Sequence, residues 1–366
     1  MSKQNISSLQ ALRGLAALAV VFHHVMRAVT INRPADLDLP PSPLLSNPII
    51  VDLGAMGVDL FFVLSGFLMI YISQSYEQGK KSRGDFLANR LIRVWPLYAV
   101  VTIYLLCIAY HNARAGGPDF DLAPMRLASL FFIPSFNEAG ILQPILGVGW
   151  TLNYEVFFYL VFAASILINR NRILAIATVL VGGSYAIGAL LPEGSVLRAF
   201  LFNSVILEFL LGAAIARAYM NSMLIAKHAQ ACLLAGLVAL AIFASVPVDE
   251  GFRLLTRGVP AALLFAFVLL SDSKIRWPRA IVVLGDASYS IYLVHIPVLY
   301  TVAPRVMGKL SRLGFPSVAT EGGLIGAMIA CVGAGLLCHV VLEKPLTRLA
   351  KRVYYQMSGR TAIASA

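Results

Sequence analysis

Charge is what this sequence has least of. Only 13% of its 366 residues are Asp, Glu, Lys or Arg, against 59% hydrophobic, and mean hydropathy is +0.79. A water-soluble domain of this size carries about a quarter charged residues, so a soluble globular class is excluded. Acids are the scarcer sign, 18 against 29 basic residues, which leaves a net charge of +11. That excess does not point to nucleic acid, because no basic arm is present and the basic residues are not interleaved with exposed aromatics. Cysteine is nearly absent too. Cys107, Cys232, Cys331 and Cys338 lie inside apolar runs, with neither zinc-ligand spacing nor a disulfide framework. No metal is expected. The first apolar run lacks a small-residue cleavage site and is interrupted by Arg13 and a histidine pair, so it reads as a retained span and not a signal peptide. No convincing internal repeat is visible, which weighs against a transporter's symmetry.

What is present is a series of apolar runs near the length that crosses a bilayer core of about 30 Å. Ten spans are predicted, at roughly 9–30, 49–73, 94–111, 148–169, 173–191, 199–216, 229–246, 254–270, 281–303 and 321–342. The expected fold is all-α, a polytopic transmembrane helical bundle of about ten spans. Lys and Arg set its direction. Arg90, Arg93, Arg170, Arg172, Arg217, Lys227, Lys274 and the basic tail fall on one side, whereas Asp36, Glu138, Glu193 and Asp249 fall on the other. Both termini are therefore expected in the cytoplasm. Residues 1–352 read as a single transmembrane domain and 353–366 as a short cytoplasmic tail. The segment "SLFFIPSF" is too short to cross and reads as lying at the interface.

An ionisable group in hydrocarbon costs several kcal/mol unless it finds a partner or water, so the polar residues inside these spans carry information. In "LQALRGLAALAVVFHHVMRAV", Arg13 sits near the cytoplasmic end and His24 about 16 Å deeper at 1.5 Å per residue. Eleven helical steps of 100° return to within about 20°, so the two share a face while His23 points elsewhere. The second span places Asp52 and Asp59 on one face, with Asp59 about 15 Å from the outer end. Glu155, in "GVGWTLNYEVFFY", and His295, in "SYSIYLVHIPV", reach about 10 Å from the outer face. Four spans thus deliver ionisable groups to one layer. Each also has a plainer reading: a helix–helix hydrogen bond for His295, a buried arginine partner for Glu155, loop solvation for Asp52. Glu208 and Asp286 read as further buried acids without a role. At the cytoplasmic surface, "RLIRVWPLY" sets Arg90 and Arg93 at i, i+3, a pair suited to forked hydrogen bonds with phosphate. Ordinary positive-inside charge is the alternative.

The motifs "LRGLAALAVVFHH", "GVDLFFVLSGFLM", "RLIRVWPLY", "GVGWTLNYEVFFY" and "SYSIYLVHIPV" occur in the order seen in the acyltransferase 3 family of integral membrane acyltransferases. The chain resembles that family from residue 9 to the "EKPL" at 343–346. The resemblance implies transfer of an acyl group, most often acetyl from cytoplasmic acetyl-CoA, to a hydroxyl of a carbohydrate or lipid-linked glycan outside the cytoplasm. It implies a multi-pass protein of the bacterial cytoplasmic membrane, in the stand-alone form without an added hydrolase-like domain. The family histidine matches His24, its partner arginine Arg13, and the coenzyme-binding R-x-x-R Arg90 and Arg93. Beside this, His24 suits a general base or a transient acyl carrier, and Glu155 or Asp59 would orient its imidazole. Trp150, His295 and Asp52 are the supporting or substrate-contacting candidates. No permanently bound cofactor is expected. Expected partners are acyl-CoA, the glycan acceptor and membrane lipid, with a homo-oligomer or a polysaccharide assembly complex left open. The competing class is a transporter or flippase of an acyl donor or glycolipid, with the intramembrane acids as coupling sites.

Overall fold

The computed structural model of the chain describes residues 7–30, 48–77, 84–115, 127–243 and 252–358. The loop acids Asp36 and Asp249 and the tail from 359 onward lie outside the described residues. The elements are helices: α1 (Ser7–Thr30), α2 (Pro48–Glu77), α3 (Gly84–Arg114), α4 (Trp150–Asn169), α5 (Ile173–Leu190), α6 (Val196–Leu201), α7 (Val205–Met220), α8 (Ala229–Phe243), α9 (Val259–Leu270), α10 (Arg279–Asp286), α11 (Ser288–Arg312), α12 (Ala319–Cys338) and α13 (Lys344–Met357). Among the described residues, nine helical stretches are long and apolar enough to cross a membrane, and Leu254–Leu270 is a shorter apolar one. These ten match the predicted runs.

Three boundaries differ from the sequence reading. The third helix begins at Gly84, not near 94, and continues through Pro96. Proline removes one ladder bond, a loss that membrane helices tolerate when neighbours satisfy the freed carbonyl. Arg90 and Arg93 are thereby set on the same continuous helix as the span. The ninth run is broken at Ala287 into α10 and α11, and Asp286, read as a buried acid, is exposed. The last run passes through a π-helical turn, His339–Glu343, into the basic amphipathic α13.

The chain divides into two compact units, Met1–Ile72 with Asn203–Leu336 and Ser73–Phe202 with Leu337–Ala366. Close backbone approach holds the first unit together. A Cβ on Gly66 would meet the Phe209 carbonyl oxygen at 2.0 Å, and one on Gly212 the Val63 oxygen at 1.8 Å, so α2 and α7 interlock through reciprocal glycines. Gly285 against the Gln10 oxygen, 1.9 Å, does the same for α10 and α1. Small residues at crossings are the usual means of bringing helices together where lipid offers no hydrophobic drive. The resulting core joins Ala17, Val21, Val25 and Val29 of α1 to Ile291, Leu299 and Met307 of α11 and Ala327 and Cys331 of α12. The start of α1 is fixed by Asp272, whose Oδ1 accepts from the Ser8 backbone N–H at 2.8 Å and the Ser7 hydroxyl at 3.2 Å. A carboxylate at a helix N-terminus satisfies free amides and favours the dipole.

In the second unit, the segment after α3 is pinned to that helix. Trp95 Nε1 donates to the Leu130 carbonyl (3.0 Å), Tyr98 hydroxyl to that of Ser129 (2.9 Å), and Tyr98 stacks on Phe132 at 4.7 Å. The predicted interface segment contains a short 3₁₀ turn, Ser129–Phe131, with Phe131 and Ile133 exposed, as an interfacial segment requires. At the other end, α13 is tied to α3 by the Tyr354 hydroxyl donating to Asp85 Oδ1 at 3.0 Å.

Candidate active site

In the first unit α1 carries His23 and His24 side by side. Each histidine of the layer is oriented by a backbone carbonyl. His24 Nδ1 lies 2.9 Å from the Val20 oxygen, His23 Nδ1 2.7 Å from Val51, and His295 Nδ1 2.7 Å from Tyr292. A carbonyl can only accept, so each Nδ1 bears the proton and each neutral ring presents Nε2 as its lone pair. The partners of His24 and His295 lie one turn back on their own helices, so the helix itself fixes the tautomer. The His24 ring meets that of His295 at 5.0 Å between centroids, tilted by 61°, and that of His23 at 5.1 Å. His24 and His23 are half-buried, whereas His295 is fully buried. Tyr292 and Phe61 form the adjoining aromatic wall, Tyr292 lying 5.9 Å from both Phe61 and His295.

The same unit buries a second polar cluster. Arg253 Nε donates to Asp59 Oδ1 at 2.9 Å and stands 3.8 Å from Glu208 Oε1. Both acids are fully buried and the arginine nearly so. Arg253 immediately precedes a π-helical turn, Leu254–Gly258. Such wide turns reposition side chains and recur at functional sites. Gly258 makes the approach possible, since a Cβ there would stand 2.8 Å from Glu208 Cγ. Arg257, also buried, directs Nη1 at the carbonyls of Phe243 and Thr256, both 3.5 Å away. Arg253 and Asp52 both lie close enough to His23 to act on it electrostatically.

In the second unit, Arg90 and Arg93 are half-buried on α3. Tyr159, Arg93, Glu155 and Tyr76 all lie close enough to the Arg90 guanidinium to act on it electrostatically. The Tyr159 hydroxyl donates to Glu155 Oε1, one turn back on α4. Trp150 opens α4 and packs edge-on against Tyr154 at 5.9 Å.

The structure therefore brings together some of the expected residues. His24 and His295 meet. Glu155 lies beside Tyr159 and acts electrostatically on Arg90. Asp59 is engaged by Arg253, and no hydrogen bond joins it to His24, whose Nδ1 is already satisfied by Val20. Asp52 is half-buried near His23, and Arg13 is half-buried on α1. Sequence reasoning missed Arg253. The available signal was two arginines, Arg253 and Arg257, at the start of an apolar run, the end that the Lys and Arg pattern expects outside, where the positive-inside tendency disfavours them.

An acyltransferase domain family matches residues 6–342. The chain belongs to the acyltransferase 3 family. It is 34% identical over 322 residues to the exopolysaccharide production protein ExoZ of Rhizobium meliloti, covering 85% of this chain and 95% of that protein. It is 28% identical to the acyltransferase MdmB of Streptomyces mycarofaciens, over 95% of this chain and 93% of the other. A putative peptidoglycan O-acetyltransferase, YrhL of Bacillus subtilis, is 25% identical over 80% of this chain, which spans half of YrhL's length. No solved structure matches. The protein is thus an integral membrane acyltransferase, which decides between enzyme and transporter in favour of the enzyme.

Proposed function

We propose that this acyltransferase moves an acetyl group from cytoplasmic acetyl-CoA to a hydroxyl of an extracytoplasmic carbohydrate: exopolysaccharide, lipopolysaccharide or a lipid-linked oligosaccharide. The observation that carries the reading is His24, held in one tautomer by the Val20 carbonyl with Nε2 as its basic nitrogen. From there it removes the proton of the attacking hydroxyl, or takes the acyl group itself. Arg90 and Arg93 hold the phosphates of the coenzyme, and Glu155 with Tyr159 orients Arg90. Arg13 positions the donor or the histidine, Asp59 holds Arg253, and Trp150 and Asp52 support the two sites. The acceptor class is supported by the names of the relatives, exopolysaccharide production in one and peptidoglycan O-acetylation in another.

The reading places the chain in the bacterial cytoplasmic membrane as a single transmembrane domain, with both termini and Arg90 on the cytoplasmic side. Reporter fusions should put the 31–48 and 112–147 loops outside, and a cytoplasmic 112–147 loop would overturn the depth assignments. The activity itself is tested with purified protein in detergent, labelled acetyl-CoA and glycan from a strain lacking the protein. Label should enter alkali-labile esters on the glycan without any membrane gradient. Label appearing in no glycan fraction of that strain, with folded protein present, would contradict the acceptor class.

A further inference from the structure

His295 is the one polar group of the histidine layer that α11 delivers wholly out of solvent. Its exposure is 0%, its Nδ1 is committed to the Tyr292 carbonyl, and its Nε2 has no hydrogen-bond partner among the described residues. A buried polar atom left without a partner is destabilising, and such atoms call for an explanation in the working state. The backbone around it is fixed on the other side as well, because the Cys331 thiol of α12 donates to the His295 carbonyl at 3.4 Å. The ring therefore has little freedom to turn its Nε2 elsewhere. Across from it, 5.0 Å between centroids, stands His24, whose own Nε2 is bare for the same tautomeric reason.

Two neutral imidazoles this close, each with Nδ1 protonated, cannot hydrogen-bond to one another through Nε2, since neither nitrogen carries a hydrogen. That changes when one of them takes up a proton. An imidazolium at His24 has an Nε2–H to give, and His295 has the matching lone pair. A second proton is opposed by like-charge repulsion at this distance. Rings 5.0 Å apart between centroids can hold one proton between them.

We propose that His295 is a positioning residue for the transfer step, accepting a hydrogen bond from the Nε2–H of the His24 imidazolium while Nδ1–H stays on the Val20 carbonyl, the place that a carboxylate takes beside other catalytic histidines. The inference rests on His24 acting as general base. As the acceptor oxygen forms its bond to the acyl carbon, its proton passes to His24 Nε2, and that single N–H is a three-centre donor, to the oxygen it left and to His295 Nε2. When the C–S bond breaks, the electron pair leaves with sulfur and the proton passes from His24 Nε2 to the departing thiolate. The products are ester and free thiol, and both histidines end neutral. The assignment also accounts for Asp59, which is bound to Arg253 and is not required beside His24.

The test compares two amides at one position in the purified enzyme. His295→Gln carries its amide at the reach of Nε2 and restores an acceptor there. His295→Asn reaches only the position of Nδ1 and leaves the Nε2 site empty. Transfer from labelled acetyl-CoA is measured per folded molecule, with kcat and the KM for donor determined separately. His295→Asn should lower kcat about 10- to 100-fold with KM within about twofold, and His295→Gln should recover most of that loss. Equal kcat in the two variants, whether both high or both low, would overturn the proposal, as would a loss seen only in KM. If either amide fails to fold, His295→Phe gives the packing control: kcat at the wild-type level there would also overturn it, and kcat as low as expected for Asn would support it. The His24 reading is separated by His24→Ala. A dead His24→Ala enzyme with a fully active His295→Asn enzyme removes this inference and leaves the function in place.

Discussion

Two polar clusters lie buried in one unit, and they are held in opposite ways. The histidines of α1 and α11 are each fixed by a backbone carbonyl, so their side chains consume none of one another's bonding capacity. Asp59, Arg253 and Glu208 come from α2, from the residue before the π turn and from α7, and they are held by charge, with Arg253 Nε donating to Asp59 Oδ1 and standing 3.8 Å from Glu208 Oε1. A group tied to the backbone keeps a nitrogen available for chemistry. A group tied to an opposite charge is spent on structure, and removing its partner exposes the full cost of burial. On the proposed function, reactivity belongs to the first cluster and rigidity to the second.

The comparison breaks most visibly at Arg253. Arg253→Ala should destabilise the protein by about 3–5 kcal/mol, because two carboxylates remain in a low-dielectric interior. Thermal unfolding in detergent should show it. The double variant with Asp59→Asn should lose less than the sum of the two single changes. An Arg253→Ala protein as stable as the parent, but inactive, would move this cluster into the chemistry.

The arginines of the second unit come next. Arg90→Ala and Arg93→Ala should each weaken coenzyme A binding about 10- to 100-fold, the size of a charge-assisted hydrogen bond worth about 1.5–3 kcal/mol. Lysine should rescue only part of it, lacking the planar fork. Calorimetry on the detergent-solubilised protein checks this, and unchanged affinity in both alanine variants would return the pair to ordinary positive-inside charge.

The smallest effect is expected at His23. Its bond to the Val51 carbonyl is one buried hydrogen bond, worth about 0.5–1.5 kcal/mol. His23→Ala should keep turnover within about tenfold of wild type and unfold slightly earlier. A loss matching that of His24→Ala would erase the distinction between two neighbouring rings.

What the sequence made legible follows the same division. Helical rise and rotation suffice to put His24 and His295 in one layer, because both are properties of a single helix. The tautomer of each is fixed by a carbonyl three or four residues away, which any helix supplies. Partners drawn from distant segments are another matter. Asp59 and Arg253 are separated by 194 positions, and nothing in a spacing pattern pairs them. The break at Ala287 carries no proline to mark it, and the polar "GDASYS" around it lies between apolar flanks that read as one run. The early start of α3 escaped because its first turns are too polar to read as membrane, although they are helical.

The account's central claim is that His24 does the chemistry and is not a structural histidine. The direct test is labelled acetyl transfer by purified His24→Ala, per folded molecule, with coenzyme A binding measured on the same preparation. Turnover should fall by a factor of about 100 to 10,000 while donor affinity and unfolding temperature stay at wild-type values. Near-normal turnover by that folded, donor-binding protein would contradict the account.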